Sequence, residues 1–307
     1  MKKFSFSLRS VPAALLAFCL IAFGLLIPTL GFYWDDWQMI WFNYTTGPAG
    51  LFQAFQGDRP FLALTFYLTS LIARPIPLDW QIMGLLTRFG LALSFYWMVR
   101  QIWPKAGELA AWAALLYALY PGFKQQHIAV IYTNGFILLA LFNLSIGWMA
   151  LALRTPKRYW LYTILALLSF AFCTFSTEYY VGLEAIRPLI IFILLGRSIR
   201  ELKPRFWNSV KHWLPYLVIM GVFLFWRVFI FQFPTYHPAL IEKTQTDYFS
   251  KFAYLLYRIV FDIYQTGWLT WLQAFQFPTL KDFAASSNIA SWGISLGGLL
   301  LALLYLF

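Results

Sequence analysis

Residues 11–37 read VPAALLAFCLIAFGLLIPTLGFYWDDW, an apolar run of about 20 residues that ends against two adjacent carboxylates, Asp35 and Asp36. Lys2, Lys3 and Arg9 precede the run, as they would in a secretory signal. Yet the run is long for a signal core, and Gly31-Phe32-Tyr33-Trp34 is not a small-residue cleavage site. It therefore reads as an uncleaved first membrane helix with a cytoplasmic N-terminus. The rest of the chain agrees in composition. It is 61% hydrophobic and 11% charged, against roughly 25% charged residues in soluble domains. A soluble fold of 307 residues has no place for so much apolar surface, so lipid is the solvent for much of it. The expected fold class is an all-α polytopic membrane protein, a single transmembrane domain over residues 1–307.

Further apolar runs predict spans near 78–102, 107–122, 130–153, 159–177, 179–196 and 213–232. Pro60–Ala73 is only 14 residues long, and Arg74-Pro75-Ile76-Pro77 breaks the chain after it. It reads as an interfacial or re-entrant helix, and Leu51–Phe55 as a short amphipathic stretch, so the first outer loop, 32–77, lies along the membrane. With that assignment the N-terminus and loops 100–106, 154–158 and 197–212 share one side and carry thirteen Lys and Arg. The other side carries five: Arg59, Arg74, Lys124, Lys243 and Lys251. That bias puts the first group in the cytoplasm. Residues 233–250 are polar and proline-containing. Residues 251–277 form an eighth span or an interfacial helix, on which Arg258 and Asp262 meet at i,i+4. The run 289–307 stops in mid-hydrophobic stretch, as the front portion of a longer chain would.

The net charge of +11 is spread between apolar runs rather than gathered into one stripe, which speaks against nucleic acid as a partner. Cys19 and Cys173 lie inside apolar runs and read as small buried hydrophobes. His127, His212 and His237 are too scattered for a metal site. No glycine-rich phosphate loop, nucleophile elbow or zinc-helix motif occurs.

The residues that carry chemistry begin with Tyr33-Trp34-Asp35-Asp36-Trp37. Adjacent acids repel, and partial desolvation raises at least one pKa, so the pair calls for a cation, a basic partner or a proton. The plain alternative is two acids capping the helix exit and facing water. Gly57-Asp58-Arg59-Pro60 adds an acid, a guanidinium and a rigid turn, outlining a polar pocket at the outer surface. Arg88, Glu184, Arg187 and Arg227 fall within predicted spans, where a central charge costs about 2.5–3.5 kcal/mol on insertion scales. Glu184 and Arg187, three apart, can pair on one helix face that Pro188 bends. They read either as a polar wall beside a ligand or as a structural ion pair.

A first helix, an outer loop opening on Asp35-Asp36, and the Arg59-Pro60 turn before an apolar stretch resemble the GT-C glycosyltransferases, in particular their protein mannosyltransferase and aminoarabinose transferase branch. Phe175-Ser176-Thr177-Glu178 is similar to a Thr-Lys-Glu feature of that group, with the lysine missing. The resemblance covers roughly residues 1–230. It implies a GT-C-like helix bundle that transfers a sugar from a polyprenyl-phosphate donor to a glycan, lipid or protein acceptor at the outer face of the cell membrane. It also implies catalytic roles for Asp35 and Asp36, with Asp35 as the base and Asp36 orienting the acceptor or binding a divalent ion. Substrate contacts would fall to Asp58, Arg59, Lys124, His127 and Glu178. No metal or other cofactor is assigned, because branches of the group differ in requiring one. The competing readings are a transporter or flippase for a lipid or small solute that uses the intramembrane charges, and a catalytically inactive scaffold of the same fold.

Overall fold

A computed structural model describes residues 8–231 and 248–274, with single positions at 293, 296, 297 and 300. Lys243, His237 and most of 233–250 and 289–307 lie outside the described residues. The chain divides into two compact units, Met1–Ala239 and Leu240–Phe307. The described secondary structure is helical throughout.

In the first unit α1 (Val11–Cys19) continues through a π-turn over Leu20–Gly24 and a 3-10 turn at Ile27–Thr29. Then come α2 (Asp36–Gln56), α3 (Pro60–Ile72), α4 (Pro77–Ile102), α5 (Gly107–Ala118), α6 (Ala129–Arg154), α7 (Tyr159–Ser176), α8 (Ile186–Leu195) and α9 (Leu202–Phe225). Five helical stretches are long and apolar enough to cross a membrane: Leu8–Thr29, Pro77–Ile102, Ala129–Arg154, Pro156–Ser176 and Leu202–Ile230. The protein is thus an all-α, multi-pass membrane protein.

Most of the segment 32–77 is helical, not just the stretches 51–55 and 60–73. α2 is two helical pieces joined at Gly47, whose φ of 72° lies in the left-handed region that glycine enters without steric penalty. Pro48 follows and cannot continue a hydrogen-bond ladder across the joint. α3 has 13 residues, about 20 Å of helix, too short to span a hydrocarbon core of about 30 Å. α2 and α3 pack through Leu51, Phe55 and Phe66 onto Trp80 and Val130, at the tops of α4 and α6.

Two hydrogen-bonded girdles set the helix directions. At one end the Gln81 side-chain amide donates to the carbonyls of Gly31 and His127, joining the start of α4 to the exit of α1 and the entry to α6. At the other end Arg154 donates to the Gln101 carbonyl, and Arg197 to that of Ile102. α4 and α6 therefore run parallel, and residues 103–128 must carry the chain back between them. The stretch read as a span over 107–122 does so in broken form. α5 has 12 residues, about 18 Å, and the chain from Leu119 to Ile128 completes the return without regular helix. The run 179–196 is broken likewise. Residues Glu178–Ala185 form a 3-10 helix of 8 residues and α8 adds 10, together about 31 Å. Hydropathy sees both as apolar runs, but neither is one continuous helix. The run placed at 213–232 begins earlier, because α9 starts at Leu202.

Non-helical backbone at membrane depth persists only where protein satisfies it. Arg88 does this for α5. Its Nε and Nη2 donate to the Ala118 carbonyl at 2.9 and 2.6 Å, Nη1 donates to Gln126 Oε1, and the guanidinium lies 4.0 Å from the Phe23 ring centroid. A cation at a helix C-terminus also meets the negative end of the helix dipole. In the second break, Glu184 accepts from Arg187 Nε at 2.6 and 2.8 Å and from Trp213 Nε1 at 3.0 Å. Arg187 Nη2 donates to Ser145 Oγ, and Tyr216 and Phe170 cover its guanidinium. Both side chains are shut off from solvent and embedded among Phe142, Ile146, Phe170 and Ile191.

In the second unit α10 (Tyr248–Tyr264) runs through a π-turn at Gln265–Leu269 into α11 (Thr270–Ala274). Arg258 and Asp262 pair at 3.6 Å. This stretch is not among the helices long and apolar enough to cross a membrane, and residues 275–277 lie outside the described set.

Candidate functional site

The end of the bundle that carries Asp36 gathers the polar residues singled out in the first outer loop. The turn from α1 into α2 passes through Trp34, whose φ of 50° is a left-handed conformation that costs a bulky L-residue on the order of 1–3 kcal/mol. Such strain persists where surroundings over-determine it, and here it sits immediately before the acid pair. The two acids part company at this point. Asp35 is exposed, whereas Asp36 is fully buried.

Asp36 reaches across to α6. Its Oδ1 accepts from the backbone amides of Val130 and Ile131 at 3.0 and 3.1 Å, satisfying two donors that the first turn of a helix cannot pair internally. Its Oδ2 is buried without a partner among the described residues. Burial pushes the carboxyl up to about 6, against the opposing pull of the Ile131 and Val130 amides. This geometry makes Asp36 a positioning residue that ties the strained turn to α6.

Asp35 faces the Tyr132 side of α6, and Tyr132 lies within electrostatic reach of both Asp35 and Tyr179. The Tyr132 hydroxyl donates to Gln125 Oε1. Nearby, the His127 ring packs edge-on to Tyr33 with centroids 5.0 Å apart, and Lys124 is exposed in the same connection.

Arg59 and Glu178, 119 positions apart, meet at 2.9 Å. Pro60 opens α3 and holds Arg59 at its non-helical entrance, while Thr177 caps the 3-10 helix that begins with Glu178. Asp58 Oδ2 lies 3.4 Å from Arg59, and the Tyr179 ring lies 5.4 Å from the guanidinium. Burial alone would lower the Arg59 pKa, but the Glu178 hydrogen bond and charge outweigh it and hold the proton more firmly. Burial likewise raises Glu178, yet its bond to Arg59 wins and holds the carboxyl below its ordinary value. Arg227, in the π-turn Trp226–Ile230 that follows α9, stands within electrostatic reach of Glu178, Arg59 and Asp58. Two guanidiniums and two carboxylates thus form one partly exposed cluster, framed by an exposed tyrosine.

The structure therefore brings together Asp58, Arg59 and Glu178, keeps Asp35 at the same end, and places Arg88, Glu184 and Arg187 away from them within the bundle. It adds Tyr132, Tyr179 and Arg227. Tyr179 follows Glu178 directly. Hydropathy places Arg227 inside a span, although the helical stretch ends three residues later at Ile230. Among the described residues no group of three or more His, Cys, Asp or Glu side chains is arranged to hold a metal ion. No family model, curated protein or solved structure matches the chain, so the chemistry of this end must be argued from its own residues.

Proposed function

We propose that the chain is a membrane glycosyltransferase of the GT-C kind, moving a sugar from a polyprenyl-phosphate donor to an acceptor hydroxyl at the Asp36 end, which faces the outside of the cell. The supporting observation is the pairing of Arg59 with Asp58 and Glu178, with Arg227 within electrostatic reach, at the end where Asp35 is exposed. Guanidiniums steered by carboxylates are suited to receive a phosphate, and an exposed carboxylate is suited to receive a proton.

In this reading Asp35 takes the proton of the acceptor hydroxyl as that oxygen attacks the anomeric carbon. The bond from that carbon to the donor phosphate breaks, and the phosphate departs with the electron pair. Attack from the face opposite the leaving group inverts the anomeric centre. Arg59 and Arg227 meet the charge left on the phosphate, so no general acid is required. Tyr179 offers a ring face to the sugar, and the donor's lipid tail lies among the helices below. The acceptor class, whether glycan, lipid or protein, is left open by this arrangement.

A transporter routed through Arg88, Glu184 and Arg187 finds less support, because Arg88 is engaged in capping α5 and Glu184 and Arg187 are paired with each other in the core. Replacing Asp35 by Asn tests the proposal. Transfer from a polyprenyl-phosphate sugar should fall by about 100-fold or more, while membrane insertion and thermal stability stay at the parent level. Full transfer by this variant would remove Asp35 from the mechanism.

A further inference from the structure

At the opposite end of the first unit, a groove of about 1140 Å³ opens along the seam between α4 and α6. Its walls are apolar, with Leu86 and Leu93 from α4 facing Ile137 and Leu144 from α6. Along α4 it reaches from Leu86 to Arg100, about 21 Å, or from the middle of a hydrocarbon core of about 30 Å to headgroup level. Arg9 and Arg100 stand at that level beside Trp97 and Trp148, the ring type that settles at membrane interfaces.

The charges are one-sided. None of the residues lining the groove is acidic, and among the described residues neither Arg9 nor Arg100 takes part in an ion pair. Arg59, Arg74, Arg187 and Arg258 each meet a carboxylate. The floor of the groove is well fixed. Trp97 lies so close over Gly147 that any Cβ there would collide with its ring, and Trp97 packs edge-on to Trp148 at 4.9 Å. Gly90, by contrast, lines the groove and has open space where a Cβ would point.

We propose that this groove is a binding site for one anionic glycerophospholipid of the leaflet at the arginine-rich end. An acyl chain lies along the α4–α6 seam, and the headgroup phosphate sits between Arg9 and Arg100. A basic pocket between membrane helices beside an apolar track is what such a lipid requires. A zwitterionic lipid would bring its own cation to the two arginines and gain less. The site is separate from the cluster at the Asp36 end and does not depend on the transferase reading.

The test uses the full chain purified in mild detergent with equimolar phosphatidylglycerol and phosphatidylcholine, the retained lipid being read by native mass spectrometry. The expected result is one phosphatidylglycerol retained, preferred roughly 30-fold over phosphatidylcholine, the ratio that two interfacial arginines supply together. In the double variant Arg9→Gln, Arg100→Gln that preference should collapse towards one, with phosphatidylcholine retention unchanged. Gly90→Leu keeps both arginines, narrows the apolar track and favours helix over glycine, so it should fold normally and retain less of both lipids. Equal retention of the two lipids by the parent chain would overturn the proposal. So would a preference that survives in the double variant, or phosphatidylglycerol retention undiminished in Gly90→Leu.

Discussion

The charged groups within the bundle and those at its Asp36 end are built from the same residue types and put to opposite uses. Arg88 closes the end of α5 on the Ala118 carbonyl, and Arg187 is bound by Glu184, Ser145 and a wall of rings. Arg59 also has carboxylate partners, but the side chain of Glu178 is 40% exposed and Tyr179 beside it is open to solvent. Within the bundle, charge is consumed in capping a helix end and in a closed ion pair. At the end it remains within reach of a ligand. The difference is one of surroundings: a helix break buried in apolar packing needs every donor and acceptor paired, whereas a helix entrance at the surface has water as an alternative.

The largest effect should come from Arg187. Removing it leaves the Glu184 carboxylate buried with only Trp213 to answer it, so Arg187→Met should cost about 3–5 kcal/mol of stability in detergent unfolding. Replacing Glu184 and Arg187 together by apolar residues of similar volume should recover most of that loss. If the single variant unfolds at the parent midpoint, the buried pair is not what holds this part of the core.

Arg88→Met follows, at about 2–3 kcal/mol, because the Ala118 carbonyl and Gln126 lose charge-assisted partners while the ring contacts of Phe23 are partly kept by the methionine. Hydrogen exchange should show the opening localised to α5 and the stretch from Leu119 to Ile128. Opening spread evenly over the bundle would mean that Arg88 packs the core without capping α5.

These two breaks explain what the sequence makes plain and what it hides. Lipid enforces apolar runs on any chain that crosses it, so Val11–Leu30, Ala129–Arg154 and the short Pro60–Ile72 are visible from composition and length. Hydropathy carries no information about whether a run is one helix, so Gly107–Gly122 and Tyr179–Gly196 look intact. What breaks them is local: the Ala118 carbonyl finds Arg88, and Thr177 starts a 3-10 helix that hands over to α8 at Ile186. The site divides the same way. Asp35-Asp36 and Arg59 stand out as charge in an apolar chain, and Glu178 enters the set through a resemblance. That one acid of the pair is buried and the other exposed depends on the left-handed Trp34, which no periodicity predicts. Arg227 comes within electrostatic reach of Arg59 only because the fold brings together positions distant in sequence.

Asp36 sits on the border between the two regions, and pH separates its contribution. Burial raises its carboxyl from 3.8 to about 6, so the folded state binds this proton more tightly than the unfolded chain does. Stability from this group should therefore be greatest below about pH 4 and decline as pH rises through about 6, by about 3 kcal/mol. Asp36→Asn keeps an oxygen to accept from Val130 and Ile131 and removes the titration. The variant should flatten that slope and unfold later than the parent at pH 7.5. A slope unchanged in the variant would assign the pH dependence to another group.

The smallest change in stability should belong to Glu178→Gln, and this variant tests the comparison most directly. Gln keeps a carbonyl oxygen for the Arg59 Nη2 donor, and the exposed pair is screened by water, so the cost should stay within about 1 kcal/mol. The parent carboxyl is held below its ordinary value of 4.5, so its contribution is full above that pH and is lost as pH falls through the lowered value. Around neutrality, therefore, nearly all of the effect should appear in function: Arg59 loses the charge that aims it, and on the proposed transferase reading the KM for a polyprenyl-phosphate donor should rise several-fold with kcat less affected. If Glu178→Gln instead destabilises the protein as much as Arg187→Met, the end cluster is one more repair of broken helix, and the phosphate site must be sought elsewhere.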